Sequence, residues 1–190
     1  MSKKKVLKPY EALYPVPVVL VSCIGIDAKP NIITIAWAGV ICSSPPTLSI
    51  SIRPSRYSHK LIKESTDFVV NIPDEKYLVE TDFCGIVSGR DTDKFKACNF
   101  TAVKASKVKS PLIAECPVNI ECRLKGVISL GAHDMFIGEV VAVNADSGVL
   151  NSFGAVDYSR VSPVVYNQRQ YWSLNKRIGE YGFSRKIKKI

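Results

Sequence analysis

The sequence predicts a mainly β protein with two or three short helices, folded as a closed or partly closed antiparallel barrel. Short runs rich in Val, Ile and Phe that end at Pro, Gly or Asp turns, two longer segments of strict apolar–polar alternation, and the brevity of the helical stretches all point this way. With 190 residues, 46% of them apolar, the chain fits one globular domain over residues 1–190, and a disordered chain or a fibre is excluded.

Taken in order, Val18 to Ile24 is a β-branched run, and Asp27-Ala28-Lys29-Pro30 is a turn. Asn31 to Cys42 reads as a second long strand, making an antiparallel hairpin with the first. Pro45-Pro46 closes it. Thr47 to Arg53 then alternates, placing Leu48, Ile50 and Ile52 on a core face and Ser49, Ser51 and Arg53 on a polar one. The next turn, Arg53 to Ser58, leads into a short helix over His59 to Glu64 with Ser58 as its N-cap.

Phe68 to Ile72 returns as a strand and stops at Pro73. A second helix covers Asp74 to Cys84 with Tyr77, Leu78 and Thr81 on one stripe, followed by a polar loop from Ser88 to Lys94. Val118 to Lys125 alternates without a fault, and Met135 to Val143 is its expected strand partner. Short strands follow around Val164 to Tyr166 and Gln170 to Trp172. No repeat or linker divides the chain.

The net charge of +9 suggests a nucleic-acid partner until the charges are placed. Lys3, Lys4, Lys5, Lys8, Arg185, Lys186, Lys188 and Lys189 sit in short tails at about 1–8 and 185–190, and without them the body holds 18 basic against 17 acidic residues. The tails read as solubilising, with contact to something anionic as an alternative, so nucleic acid is not the expected partner. Nor is a membrane, since no run reaches the roughly 20 apolar residues of a spanning helix. Lys3 to Cys23 imitates a lipoprotein signal, but Glu11, Pro15 and Pro17 interrupt it, and a buried strand is the simpler account. The six cysteines form no C-x-x-C pair and several lie in apolar runs, which suits reduced thiols in a cytoplasmic protein.

Rossmann, P-loop, zincin and nucleophile-elbow motifs are absent, and His59 and His133 are the only histidines, so a multi-histidine metal centre is not available. The unusual segment is Ser49 to His59. Ser51 and Arg53 on a polar strand face run into a hydroxyl-rich, basic turn that opens a helix N-terminus, a combination suited to a phosphate monoester. The same residues also suit a capped surface helix with solvated arginines. Nearby, Asn31, Thr34 and Trp37 set an amide, a hydroxyl and an indole along one strand. They could edge and cover a planar heteroaromatic ring, although a lone tryptophan commonly serves the core.

The run PNIITIAWAGVICSSPPTLSISIRPSRYSHKLI, then FVVNIP, SGRDTDKF and HDMFIGEV, resembles in order the flavin reductase-like, FMN-binding split-barrel family, flavoredoxin type, over about residues 10 to 175. The resemblance implies a split β-barrel, usually a homodimer, with FMN near the subunit interface. It implies flavin-ring contacts from Asn31, Thr34 and Trp37, a site floor from Ser51 and Arg53, and phosphate binding by Ser58. Lys94 would bring positive charge, His133 and Tyr166 would approach the flavin, and Asn71 is a further candidate. Outside the resemblance, His133 reads as a surface histidine and Tyr166 as a packed aromatic.

The activity so implied is electron transfer through FMN from NAD(P)H or a redox protein to an acceptor, for which no Rossmann motif is needed. The other class compatible with the residues is a non-enzymatic barrel binding a different ligand, or nucleic acid through its tails.

Overall fold

The computed structural model describes residues 2–174 and 176–186; Lys188 and Lys189 of the C-terminal tail lie outside them. In chain order the strands are β1 (Val16–Pro17), β2 (Val19–Ile24), β3 (Pro30–Ile35), β4 (Ala38–Ser43), β5 (Pro46–Ile52), β6 (Asp67–Ile72), β7 (Ala102–Val103), β8 (Leu112–Ile113), β9 (Val118–Ser129), β10 (Asp134–Ala145), β11 (Val164–Asn167) and β12 (Gln170–Ser173). The helices are α1 (Tyr57–Ser65), α2 (Leu78–Ile86) and α3 (Lys94–Ala97). Among the described residues, no helix is long and apolar enough to cross a membrane.

Seven strands form the main sheet in the order β3-β2-β6-β9-β10-β5-β4, with every pair antiparallel. The expected β2–β3 and β9–β10 hairpins are both present. The segment read as one strand from Asn31 to Cys42 is in fact two. The chain bends at Ala36-Trp37, leaving β3 at one edge of the sheet and β4 at the other. That bend carries the covalent chain across the gap between the two edges, so the barrel is closed there by a peptide link and not by a ladder. The Ser51 amide donates to the Trp37 carbonyl at 2.9 Å and pins the far side of the bend to β5.

The barrel interior is filled by Val19, Val21, Cys23, Ile33, Ile35, Ile50, Ile52, Phe68, Val70, Cys122 and Phe136, with Leu61 and Ile62 of α1 joining the same core. Removing either fully buried phenylalanine side chain costs about 3–5 kcal/mol. The ring of Phe68 fixes one residue of β10, because a Cβ on Gly138 would lie 2.5 Å from Phe68 Cζ. On the other face of β2 and β3, Leu20 and Ile32 pack against Cys84, Phe95, Cys98, Phe100, Ile113 and Cys116. β2 is therefore buried on both faces, which accounts for its continuous apolar run.

A smaller sheet, β1-β11-β12, stands beside the barrel. Its hairpin turns at Gln168 and Arg169, with φ of 48° and 68°, and two successive left-handed residues make the tight turn whose twist suits a hairpin. This sets Tyr166 directly opposite Tyr171.

Candidate functional site

Two adjoining cavities open at the seam between β3 and β5. The larger, about 760 Å³, is lined by Ile33 to Trp37, Ser51 to Arg53, Asp82, Gly85 and Ile86 of α2, the Ala132-His133 turn, Tyr166 and Tyr171, with Arg56, Glu11 and Val18 completing it. The smaller, about 200 Å³, is lined by Asn31, Ser55, Tyr57, Cys84, Val87 to Arg90 and Lys94. Ile33, Arg53, Arg56 and Gly85 face both. The two spaces are therefore one elongated site.

Their chemistry differs. The wall of the larger cavity is aromatic: Trp37 stacks on His133 with 6.1 Å between centroids and a 10° interplanar angle, Tyr166 lies 6.2 Å from Trp37, and Tyr171 lies 5.9 Å from Tyr166. Trp37 is 43% exposed, so its indole has a face free for a ligand and is not a core filler. Among the described residues, the smaller cavity is lined by Arg53, Arg56, Arg90 and Lys94 and by no carboxylate. It is electrostatically an anion site.

Five hydrogen-bonded units shape the walls. Asn31, buried on β3, donates from Nδ2 to Ser58 Oγ at 2.8 Å. Its Oδ1 lies so close to the loop after α2 that a Cβ on Gly89 would come within 1.9 Å of it, and only glycine leaves room for the amide. Lys94, 3% exposed, donates from Nζ to the carbonyls of Ile32 and Cys84, both at 2.7 Å. Its third N–H has no protein acceptor among the described residues. Burial lowers the Lys94 pKa, and Arg56 adds to that, while the neighbouring thiols oppose it; an anion in the smaller cavity would raise it again.

Arg53 donates from Nε to His133 Nε2 at 3.3 Å, which leaves the ring proton on Nδ1. Burial and then the Arg53 charge hold His133 below its ordinary value, favouring the neutral ring. Tyr171 donates to Asp82 Oδ1 at 2.7 Å, tying β12 to α2 across the larger cavity; burial and then this bond push its phenol pKa up. Thr34 Oγ1 donates to the Thr81 carbonyl and so positions α2 from the β3 side.

Of the expected residues, Thr34, Trp37, Ser51, Arg53, His133 and Tyr166 line the larger cavity, and Asn31, Arg53 and Lys94 line the smaller. Ser58 lines neither and is not the N-cap. The helix starts at Tyr57, two residues earlier than expected, Arg56 is the cap without a side-chain bond, and the buried Ser58 hydroxyl is engaged by Asn31. Asn71 also lies away from both cavities. Its Nδ2 donates to the Leu20 carbonyl and Ser22 Oγ, and its Oδ1 accepts from Ile113 N and Asn119 Nδ2, so its amide is consumed in bolting β8 to the sheet.

Arg56, Arg90, Asp82, Tyr171 and Glu11 were missed. Arg56 stood inside the basic turn and was legible there. Asp82 and Tyr171 are 89 residues apart in sequence, and nothing local marks them as a pair.

A family model described as Flavin reductase like domain matches residues 11–175. The chain belongs to that family. Among the relatives of this flavin reductase like chain is an uncharacterized protein of Archaeoglobus fulgidus, 37% identical over 141 residues, covering 74% of this chain and 78% of the relative. The flavoredoxin of Desulfovibrio vulgaris (Miyazaki F) superposes with a TM-score of 0.89 at 34% identity, covering 95% of this chain and 98% of the other. Flavoredoxin from Methanosarcina acetivorans gives 0.88 at 26% identity, covering 98% and 100%. The fold is thus the flavin reductase split barrel, and the sequence expectation on that point holds.

The two cavities fit the flavin mononucleotide that such a family implies. An aromatic wall with an open indole suits a flat ring, and a cluster of cations with no carboxylate among the described residues suits a phosphate.

Proposed function

We propose that this chain is an FMN-dependent oxidoreductase of flavoredoxin type, passing electrons through bound FMN from NAD(P)H or a redox protein to an acceptor. The observation that carries this reading is the junction of an aromatic-walled cavity with a cationic one that no carboxylate lines. Trp37, His133 and Tyr166 would hold the ring, and Arg53, Arg56, Arg90 and Lys94 would hold the phosphate. Asn31 takes part through its cavity-facing amide, and Ser58 acts on it by fixing that amide. When bound, FMN supplies hydride acceptance at N5 or single-electron transfer.

The residues supply the rest. Trp37 and Tyr166 exclude water from one side of the ring space, and Ser51 forms its floor. Arg53 places a fixed cation beside a neutral His133 whose proton sits on Nδ1, an arrangement able to stabilise negative charge developing on a ligand without transferring a proton from the guanidinium. Asp82 keeps Tyr171 in place.

The chain would work as a homodimer with the site near the subunit interface. The apolar residues Val40 and Ile41 on edge strand β4, and Val6, Leu7 and Leu13 in the N-terminal arm, are exposed and support that assembly.

The test is a visible absorption spectrum of the purified protein, repeated after FMN addition and desalting, and again with NADH or NADPH without oxygen. A retained flavin spectrum is expected, and bleaching by a nicotinamide marks a reductase. A retained but unbleached flavin marks a carrier fed by a protein. A protein that takes up no FMN, and whose NAD(P)H oxidation has no saturable FMN dependence, refutes the proposal.

A further inference from the structure

Cys84 and Cys98 stand with 3.6 Å between their sulfurs. Cys84 lies in the last turn of α2 and Cys98 caps the C-terminus of α3. Between them in sequence runs the segment that supplies Gly85, Val87, Ser88, Gly89, Arg90 and Lys94 to the smaller cavity. A bond between these two sulfurs would therefore staple the base of one whole wall of the site. Nothing in the proposed electron transfer uses either thiol.

We propose that Cys84 and Cys98 are a reversible dithiol–disulfide couple, oxidised by a small-molecule disulfide, that sets the position of the segment between them. Cys98 is the attacking thiol: it is 8% exposed whereas Cys84 is fully buried. Its thiolate displaces one thiolate from the oxidant and forms a mixed disulfide. The Cys84 thiolate then attacks Cys98 Sγ, making the protein disulfide and releasing the second thiolate. The two protons of the protein thiols pass to the two released thiolates, and two electrons pass to the oxidant.

Burial pushes the Cys98 thiol pKa up, and Glu80 adds to this, while the Cys84 S–H and the Lys94 ammonium favour the thiolate. Cys84 is pushed up more completely, by burial and then by Cys98 itself. Both sulfurs thus rest as protonated thiols, which slows their attack and calls for excess oxidant. Bonded sulfurs sit about 2.05 Å apart, so closure brings the two sulfurs together by roughly 1.5 Å and ties α2 to the end of α3. Lys94 feels this movement directly, because its ammonium is held by the Cys84 carbonyl.

The couple itself does not depend on the FMN reading, and the experiment keeps the two apart. The full chain is treated with oxidised glutathione, the remaining thiols are alkylated, and the mass and peptide map are read. Loss of two hydrogens with a cross-linked Cys84–Cys98 peptide, reversed by dithiothreitol, is expected. Amide exchange across residues 85–97 should slow in the oxidised form, and FMN should bind about threefold or more weakly. Cys98→Ser should bind FMN as the reduced wild type does and ignore the oxidant; Cys116→Ser should keep the response.

Mixed glutathione adducts alone, or a cross-link to Cys116, overturn the couple. A Cys84–Cys98 bond that leaves both exchange and FMN affinity unchanged overturns its effect on the site. A chain that takes up no flavin yet forms the bond with slowed exchange upholds the couple and refutes the FMN reading.

Discussion

Asn31 and Asn71 are two buried asparagines with opposite assignments. Asn31 faces a cavity and leaves its Oδ1 against a glycine, whereas Asn71 spends both ends of its amide on protein partners. Gly89→Ala is expected to push the Asn31 amide aside and weaken FMN binding by roughly tenfold while leaving thermal stability within about 1 kcal/mol, since the loop can yield; fluorescence titration and a melting curve read both. Asn71→Ala should do the reverse. It strands the Ile113 amide and takes one partner each from the Asn119 amide and the Ser22 hydroxyl, which keep their bonds to the Ile113 and Pro111 carbonyls; it costs about 2–4 kcal/mol in urea unfolding and leaves FMN affinity unchanged. Loss of affinity matching that of Gly89→Ala would return Asn71 to the site. Ser58 shows why a capping rule misplaced a residue: the rule weighs the next three amides, and the partner that takes the hydroxyl lies 27 positions away.

At the scale of elements, two carboxylates fasten the long connection between α3 and β9 to the barrel. Asp67 of β6 accepts from Lys109 N, Ser110 N and Ser110 Oγ. Glu121 of β9 accepts from Ser106 N, Ser106 Oγ, Lys107 N and Asn144 Nδ2. Burial pushes the Glu121 carboxyl up, but these donors outweigh it and hold the pKa below the ordinary 4.5. A depressed carboxylate contributes stability above its unfolded value and loses it as pH falls through the folded one. Glu121→Gln should therefore lower stability at pH 7 by about 1–3 kcal/mol and flatten the wild-type decline below pH 4.5; urea melts at pH 7 and pH 3.5 test it, and parallel declines in the two proteins would contradict it.

Elements were legible where burial is one-sided. β5 alternates in sequence because one face meets core, β9 alternates because the polar side chains of its other face, Asn119 and Glu121, are buried against backbone partners, and β6 ends where Pro73 ends it. The break at Ala36-Trp37 was not legible, because apolar periodicity continues through the bend while the chain exchanges one sheet edge for the other. Pairing partners, not local preference, make that corner. The Asp82–Tyr171 bond is invisible for the same reason.

At the scale of the molecule, the β4 edge carries Val40 and Ile41 to solvent, a few residues beyond Trp37 of the larger cavity. Light scattering should give about twice the 20.9 kDa chain mass, and Val40→Lys with Ile41→Lys should return the single mass, because like charges on an unpaired edge oppose association. A wild-type protein of single mass would leave the site complete within one chain and remove the subunit interface from the proposed function.

The link at Ala36-Trp37 acts as a hoop around the sheet. A protease site engineered at that point would cut the hoop while sparing every ladder pair, and Trp37 would stay with β5 through the Ser51 amide. The nicked protein would keep its registers but not its circumference, so comparing its stability with that of the intact chain isolates the free energy of ring closure from that of strand pairing.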